Sequence, residues 1–238
     1  MHAPPAVVAP LAVVVPLMEH NWDFATIIEN WPVLWVGLKG TVFIFVVTVV
    51  LGLGGGLIVG MGRYARSPAL RWPATAFVEV FRNTPVLVQI IWFYYAFPIL
   101  TGIEVDPFLA AVLGISLNTM AFSAEIYRAG IQSIDPGQWE AGKAIGMSYG
   151  QTLRRIILPV AIKRILPALT NRGIEVFKMS TLASVVAYVE TLNQAKLIAD
   201  LNFNPIEAYT AVAIIFFVVL YPVVQATYVL ERVMSRSD

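Results

Sequence analysis

Cysteine is absent from the 238 residues, and histidine occurs only at His2 and His20. Without cysteine there can be no disulfide and no iron–sulfur ligation. Two histidines near the N-terminus cannot assemble an ordinary zinc site. Charge is also scarce: 13% of the residues are Asp, Glu, Lys or Arg, about half the roughly 25% of an ordinary globular domain. Apolar residues make up 58%, and the mean hydropathy is +0.73. That balance places the chain in the membrane class and argues against a nucleic-acid binder, a disordered scaffold and a soluble enzyme.

A bilayer core takes about 20 apolar residues as helix, because unpaired backbone groups are costly in hydrocarbon. Charge-free runs cover 40–62, 83–103, 107–124 and 208–230. A fifth span is expected at about 171–191, where the run without charge is only 179–189 and follows Arg172, Glu175 and Lys178. The apolar opening is broken by Pro4, Pro5, Pro10 and Pro16 and has no preceding Lys or Arg, so it suits neither a signal peptide nor a span. An irregular or interfacial tail is expected there, with a short membrane helix as the alternative.

Basic residues set the orientation, since cytoplasmic loops hold an excess of them. Arg63, Arg66, Arg71 and Arg82 lie between the first two spans, and a second basic group runs from Arg128 through Lys143, Arg154, Arg155, Lys163 and Arg164 to Arg172. Arg232 and Arg236 follow the last span, whereas Glu19, Asp23, Glu29, Glu104, Asp106, Glu190, Asp200 and Glu207 gather on the other side with Lys39 and Lys196. Five spans with the N-terminus outside and the C-terminus inside fit this pattern, leaving Lys178 within a span.

No phosphate-cradling G-x-x-x-x-G-K-[ST] loop occurs, so the chain is expected to bind no nucleotide and to catalyse no reaction. Gly52, Gly56 and Gly60 recur every four residues on one face of the first span, which reads as close helix packing. A dinucleotide fingerprint fails there because Leu57 replaces its third glycine. The odd span count also argues against paired inverted repeats.

The segment between spans three and four is patterned. Asp135-Pro136-Gly137-Gln138 combines an N-cap, a proline at the first helical position and a glutamine three residues on. A short helix is expected to carry Trp139, Glu140, Ala141, Lys143, Ala144 and Ile145 and to stop at Gly146. Ser148-Tyr149-Gly150-Gln151 repeats the capping signature, and a second helix is expected through Leu153 and Ile157 to Pro159. Two short exposed helices suit either a plug for another protein's groove or a solvated connector.

Here the residues reach a family. Glu140-Ala141-Gly142, Gly146, Ile156 and Leu158-Pro159 resemble the signature loop of permease subunits from ABC importers, with Gly142 where that family usually has a second alanine. Phe81-Arg82-Asn83-Thr84-Pro85 with Gln89, Glu125-Ile126-Tyr127-Arg128 with Gly130-Ile131, and Lys178 with Ser180-Thr181 resemble its polar amino acid uptake branch. The resemblance covers roughly 38–231. It implies an all-α membrane protein with the type I permease fold: five transmembrane helices and a coupling-helix loop between helices three and four. The implied layout is a periplasmic or interfacial tail over 1–30, a permease domain over 31–232 with its coupling loop at about 132–165, and a cytoplasmic tail over 233–238.

The implied partners are two ATP-binding subunits that hold ATP and magnesium, a second permease subunit, identical or homologous, and a periplasmic solute-binding protein. The implied setting is a bacterial inner membrane, and the implied cargo a polar amino acid. Without the resemblance, an ATP-independent channel or secondary transporter, or a structural membrane subunit, remains open. Glu140, Ala141, Gly142, Gly146, Ile156, Leu158 and Pro159 are the expected ATPase-coupling residues.

Polar groups at membrane depth mark the expected substrate pathway: Gln89, Asn118, Thr119, Ser123, Lys178, Ser180 and Thr181, with Ser184 beside them. Interhelical hydrogen bonding is the alternative role for Asn118, Thr119 and Ser123. Glu125 and Arg128, three apart, suit a local ion pair. Met179 stands where the family often has Asp or Asn, which disfavours a cationic substrate.

Overall fold

The computed structural model describes residues 20–235. The proline-broken opening and the final residues of the tail, Arg236 among them, lie outside the described residues. Within them the chain is helical throughout: α1 (Ala25–Glu29), α2 (Trp31–Tyr64), α3 (Pro68–Asn83), α4 (Val86–Ile91), a π turn (Trp92–Ala96), α5 (Phe97–Thr101), α6 (Pro107–Gln132), α7 (Pro136–Ala144), α8 (Tyr149–Thr152), a second π turn (Leu153–Ile157), α9 (Leu158–Met179), a 3-10 turn (Ser180–Val186), α10 (Thr191–Asn202) and α11 (Pro205–Ser235).

Helix α2 has 34 residues, about 51 Å at 1.5 Å per residue, and so exceeds the roughly 30 Å hydrocarbon core. Leu34, Gly37, Thr41, Ile44, Thr48, Gly52, Gly56 and Gly60 are buried on one stripe, while Phe43, Val50 and Ile58 are exposed on the others. Exposed apolar faces on helices of this length suit lipid. The stripe packs chiefly on α6. A Cβ at Gly56 would stand 2.6 Å from Ser123 Cβ, and one at Gly60 would stand 3.0 Å from the Ala124 carbonyl oxygen. The glycine spacing therefore serves close packing, as its regularity suggests.

Among the described residues, three single helices are long and apolar enough to cross a membrane: α2, α6 and the 205–232 portion of α11. A fourth crossing arises only if α3 and the helical run from Val86 to Thr101, bent by 104°, are counted together. The second expected span is thus broken at its start. Thr84 and Pro85 adopt extended backbone, because a residue before proline is pushed out of the helical region. Gln89 Nε2 bridges the bend, donating to the Phe81 carbonyl at 3.0 Å and the Thr84 carbonyl at 2.8 Å. These carbonyls end α3 and have no intrahelical partner.

The span expected at 171–191 is also not one straight apolar helix. Helix α9 enters from Leu158 with Lys163, Arg164, Arg172, Glu175 and Lys178 along it. It then tightens into the 3-10 turn and stops at Ala187, whose φ is 59°. Beyond it, α10 is capped by Glu190, whose buried carboxylate accepts from the Leu192 and Asn193 amides at 2.8 and 2.6 Å.

Both π turns end two residues before a proline, at Ala96 before Phe97-Pro98 and at Ile157 before Leu158-Pro159. In each, the residue before the proline donates five residues back, Phe97 to the Trp92 carbonyl and Leu158 to the Leu153 carbonyl. The wider turn makes room for a ring that would strike a preceding carbonyl in a regular helix. This explains why the helix expected to end at Pro159 instead continues through it into α9.

Candidate functional site: the α7–α8 loop and a buried polar cluster

Helix α7 begins as its sequence requires. Asp135 Oδ1 accepts from the Gly137 amide at 2.7 Å, with Pro136 at the first helical position. The helix ends in a Schellman arrangement: the Met147 amide donates to the Gly142 carbonyl and the Gly146 amide to the Lys143 carbonyl, both at 3.0 Å. Gly146 makes this turn with φ 77°, where a side chain would be strained. Ser148 and Gln151 then form a reciprocal capping box that starts α8.

Two contacts fix α7 against α8. The Trp139 and Tyr149 rings stack with centroids 5.1 Å apart. A Cβ at Gly142 would lie 2.6 Å from Thr152 Cγ2, so glycine, where the resemblance leads one to expect alanine, is what lets the two helices meet. Below them Ile134, Ile157 and Ala161 form a small core with Trp139, Leu153 and Ile156 packed on it. Arg164 reaches the Ser133 carbonyl and hydroxyl, tying α9 to the end of α6.

The outer side is exposed: Glu140, Ala141, Leu158 and Pro159 face outward, and Ile145 is 74% exposed. A cavity of about 420 Å³ lies beside them, lined by Trp139, Glu140, Lys143, Met147, Tyr149 and Thr152. The loop therefore has a braced inner face and a free outer one. Of the seven expected coupling residues, Gly142, Gly146 and Ile156 hold the shape, and the other four present surface. Ile145 was not among them; its exposure depends on the turn at Gly146.

The expected pathway residues divide into two groups. Gln89, Asn118 and Thr119 gather near the end of α3. Asn118 Nδ2 donates to the Phe81 carbonyl at 2.8 Å, sharing it with Gln89, while Asn118 Oδ1 accepts from Arg172 Nη2 at 2.7 Å. Thr119 bonds back to the Ile115 carbonyl and stands 3.4 Å from Arg172 Nη2. Ser123, one turn further along, packs at Gly56. The second group is not brought to this cluster. Ser180 donates to the Phe177 carbonyl and Thr181 to the Lys178 carbonyl, and the Lys178 side chain is exposed.

Arg172 was missed. As a basic residue near a span edge it reads as a topological flank, yet it is 4% exposed and its guanidinium lies 4.4 Å from the centre of the Phe122 ring. Glu125 is paired with both Arg63 and Arg128. The local pair expected from the i, i+3 spacing thus extends to α2, and Arg63 also reaches Glu79 at 3.8 Å.

Residues 52–236 match the family of binding-protein-dependent transport system inner membrane components. The chain belongs to that family. It is 36% identical over 201 residues to a probable amino-acid ABC transporter permease protein, YckA, of Bacillus subtilis, covering 84% of this chain and 88% of that one. It is also 36% identical over 223 residues to the glutamine transport system permease protein GlnP of Escherichia coli, covering 92% and 97%. Among solved structures it resembles an amino acid ABC transporter crystallised with histidines, at TM-score 0.84 and 33% identity, covering 90% of this chain and 99% of that one. This permease is accordingly an all-α, multi-pass inner membrane protein and a non-catalytic transport component of an ABC importer.

Proposed function

We propose that this permease forms part of the passage by which a polar amino acid enters the cytoplasm, and that it receives mechanical work from two ATP-binding subunits docked on 135–159. The carrying observation is the α7–α8 loop, braced within by Trp139, Gly142 and Ile156 and free without at Glu140, Ala141 and Ile145. A floppy connector transmits no force; a loop with its end turns capped and its core packed moves as a body with α9. Nucleotide closure in the partners shifts the permease between states only through differential contact with such a body. ATP and magnesium belong to those partners.

The remaining parts follow the same reading: a second permease subunit completes the passage, and a periplasmic binding protein delivers the substrate. Basic residues at Arg63, Arg66, Arg71 and on the α7–α9 segment support a cytoplasmic location for that side, with the N-terminus outside and the C-terminus inside. Gln89, Asn118, Thr119 and Ser123 line or brace the pathway, with exposed Lys178 at its flank. The relatives named as amino-acid and glutamine permeases support the cargo class.

Vesicles holding the assembled complex test this reading. Labelled polar amino acid should accumulate only with ATP on the cytoplasmic side and binding protein on the other. Accumulation driven by an ion gradient without ATP would instead support a secondary transporter.

A further inference from the structure

Resting on that permease reading, we propose that Arg172 is the specificity-determining residue for substrates with an anionic side chain, and that its guanidinium receives the second carboxylate of a dicarboxylic amino acid. Five features surround it. Nη1 bonds Glu175 Oε2 at 2.9 Å, Nη2 bonds Asn118 Oδ1 at 2.7 Å, and Thr119 Oγ1 lies 3.4 Å from Nη2. The Phe122 ring covers one face, and Met179 Sδ stands 4.0 Å from Nη2. Nε is buried and has no partner.

A carboxylate grips a guanidinium best through two parallel bonds along one edge. On Arg172 the edge formed by Nε and Nη2 has one donor open and the other bonded to a neutral amide oxygen. An incoming carboxylate fills the open donor and replaces the amide with a charged acceptor. Asn118 is already held through its Nδ2 on the Phe81 carbonyl, so it keeps its place when its oxygen is displaced. An amide side chain of the same shape supplies one acceptor and brings an N–H against Nε or Nη2, which are themselves donors.

A second cation stands nearby: Arg82 lies 5.2 Å from the centre of the same Phe122 ring. Among the described residues Glu175 is the single carboxylate paired with Arg172, and its side chain is 60% exposed against 4% for the arginine. Glu175 is therefore free to turn to water when a ligand carboxylate arrives. A strut joining α6 to α9 needs Nη2 on Asn118 but not an open Nε.

Glutamate and glutamine, alike in shape and different in charge, decide the matter. Equilibrium binding of each labelled amino acid is measured on the purified permease–ATPase complex without its binding protein, and uptake is measured with the complete system. Wild type should favour glutamate by at least about tenfold, the scale of one charge-assisted hydrogen bond. Arg172→Gln should abolish that preference, and Arg172→Glu should reverse it toward arginine. Arg172→Lys should keep part of it, which also controls for assembly. Equal binding of the acid and its amide by wild type, no measurable binding of either, or a proportional loss of both in Arg172→Gln would overturn the assignment. If some amino acid is still imported with ATP, the permease reading survives that result; if none is, the permease reading fails as well.

Discussion

Asn118 on α6 accepts a hydrogen bond from Arg172 on α9 at 2.7 Å while donating to the Phe81 carbonyl at 2.8 Å. One amide thus joins α6, α9 and the end of α3 beside the bend at Thr84–Pro85. Gln89 bridges the same bend, donating to the Phe81 and Thr84 carbonyls.

Removing that amide should be costly. Asn118→Ala leaves Arg172 Nη2 without its closest acceptor, and should destabilise the complex by about 1–3 kcal/mol. Thermal unfolding of the detergent-solubilised assembly checks this. Asn118→Asp, which retains an acceptor, should lose less. An unchanged midpoint in the alanine variant would show that the bridge carries no stability.

Gly56 faces the companion prediction on packing. Leucine there meets Ser123 and the Met120 carbonyl across the α2–α6 contact, and overpacking of this kind costs about 1–3 kcal/mol. Gly54, with open space around its missing Cβ, should accept leucine at little cost. Expression and melting of the two variants side by side test the difference; equal behaviour would remove the case for a glycine-lined interface.

Topology is accessible to labelling because the chain has no cysteine. Single cysteines at Asn21, Asp106 and Asn202 should react with an impermeant thiol reagent from outside, and those at Ser67 and Ser148 should not. Reaction of Asn202 from the inside alone would overturn the orientation of α10 and the start of α11.

The loop was the most legible part of the sequence. Asp135, Gly146, Ser148 and Gln151 act through bonds to neighbours a few residues away, so their spacing carries their roles. The stripe of Gly52, Gly56 and Gly60 was legible for a similar reason: helical periodicity survives whatever packs against it. The bend after Asn83 was not, because counting uncharged residues passes straight over Thr84 and Pro85. Nor was Arg172: its burial is set by Asn118, Phe122 and Met179, far from it in sequence or a turn or more away. Charge counting assigns a side to such a residue and says nothing of its neighbours. Gly142 stood out in the sequence only as a departure from the expected alanine, whereas its meaning lies in the contact with Thr152.

That contact supports its own test. Gly142→Val should wedge α7 from α8 and change the angle of the docking surface, lowering ATP-driven uptake several-fold while membrane insertion is retained. Gly150, where an added Cβ has open space, should tolerate alanine with uptake near wild type. Normal uptake in Gly142→Val would show that the angle between the helices is immaterial.

Docking of the 135–159 loop on the ATPase subunits is most directly examined by measuring ATP hydrolysis and amino acid uptake together in vesicles containing the complete transporter. Gly146→Pro destroys the left-handed turn and the amide donated to Lys143; Glu140→Lys reverses a charge on the exposed face. Both variants should insert and assemble, yet lose the stimulation of hydrolysis by loaded binding protein and the uptake that depends on it. Stimulated hydrolysis and uptake at the wild-type level in both would contradict a coupling role for this loop.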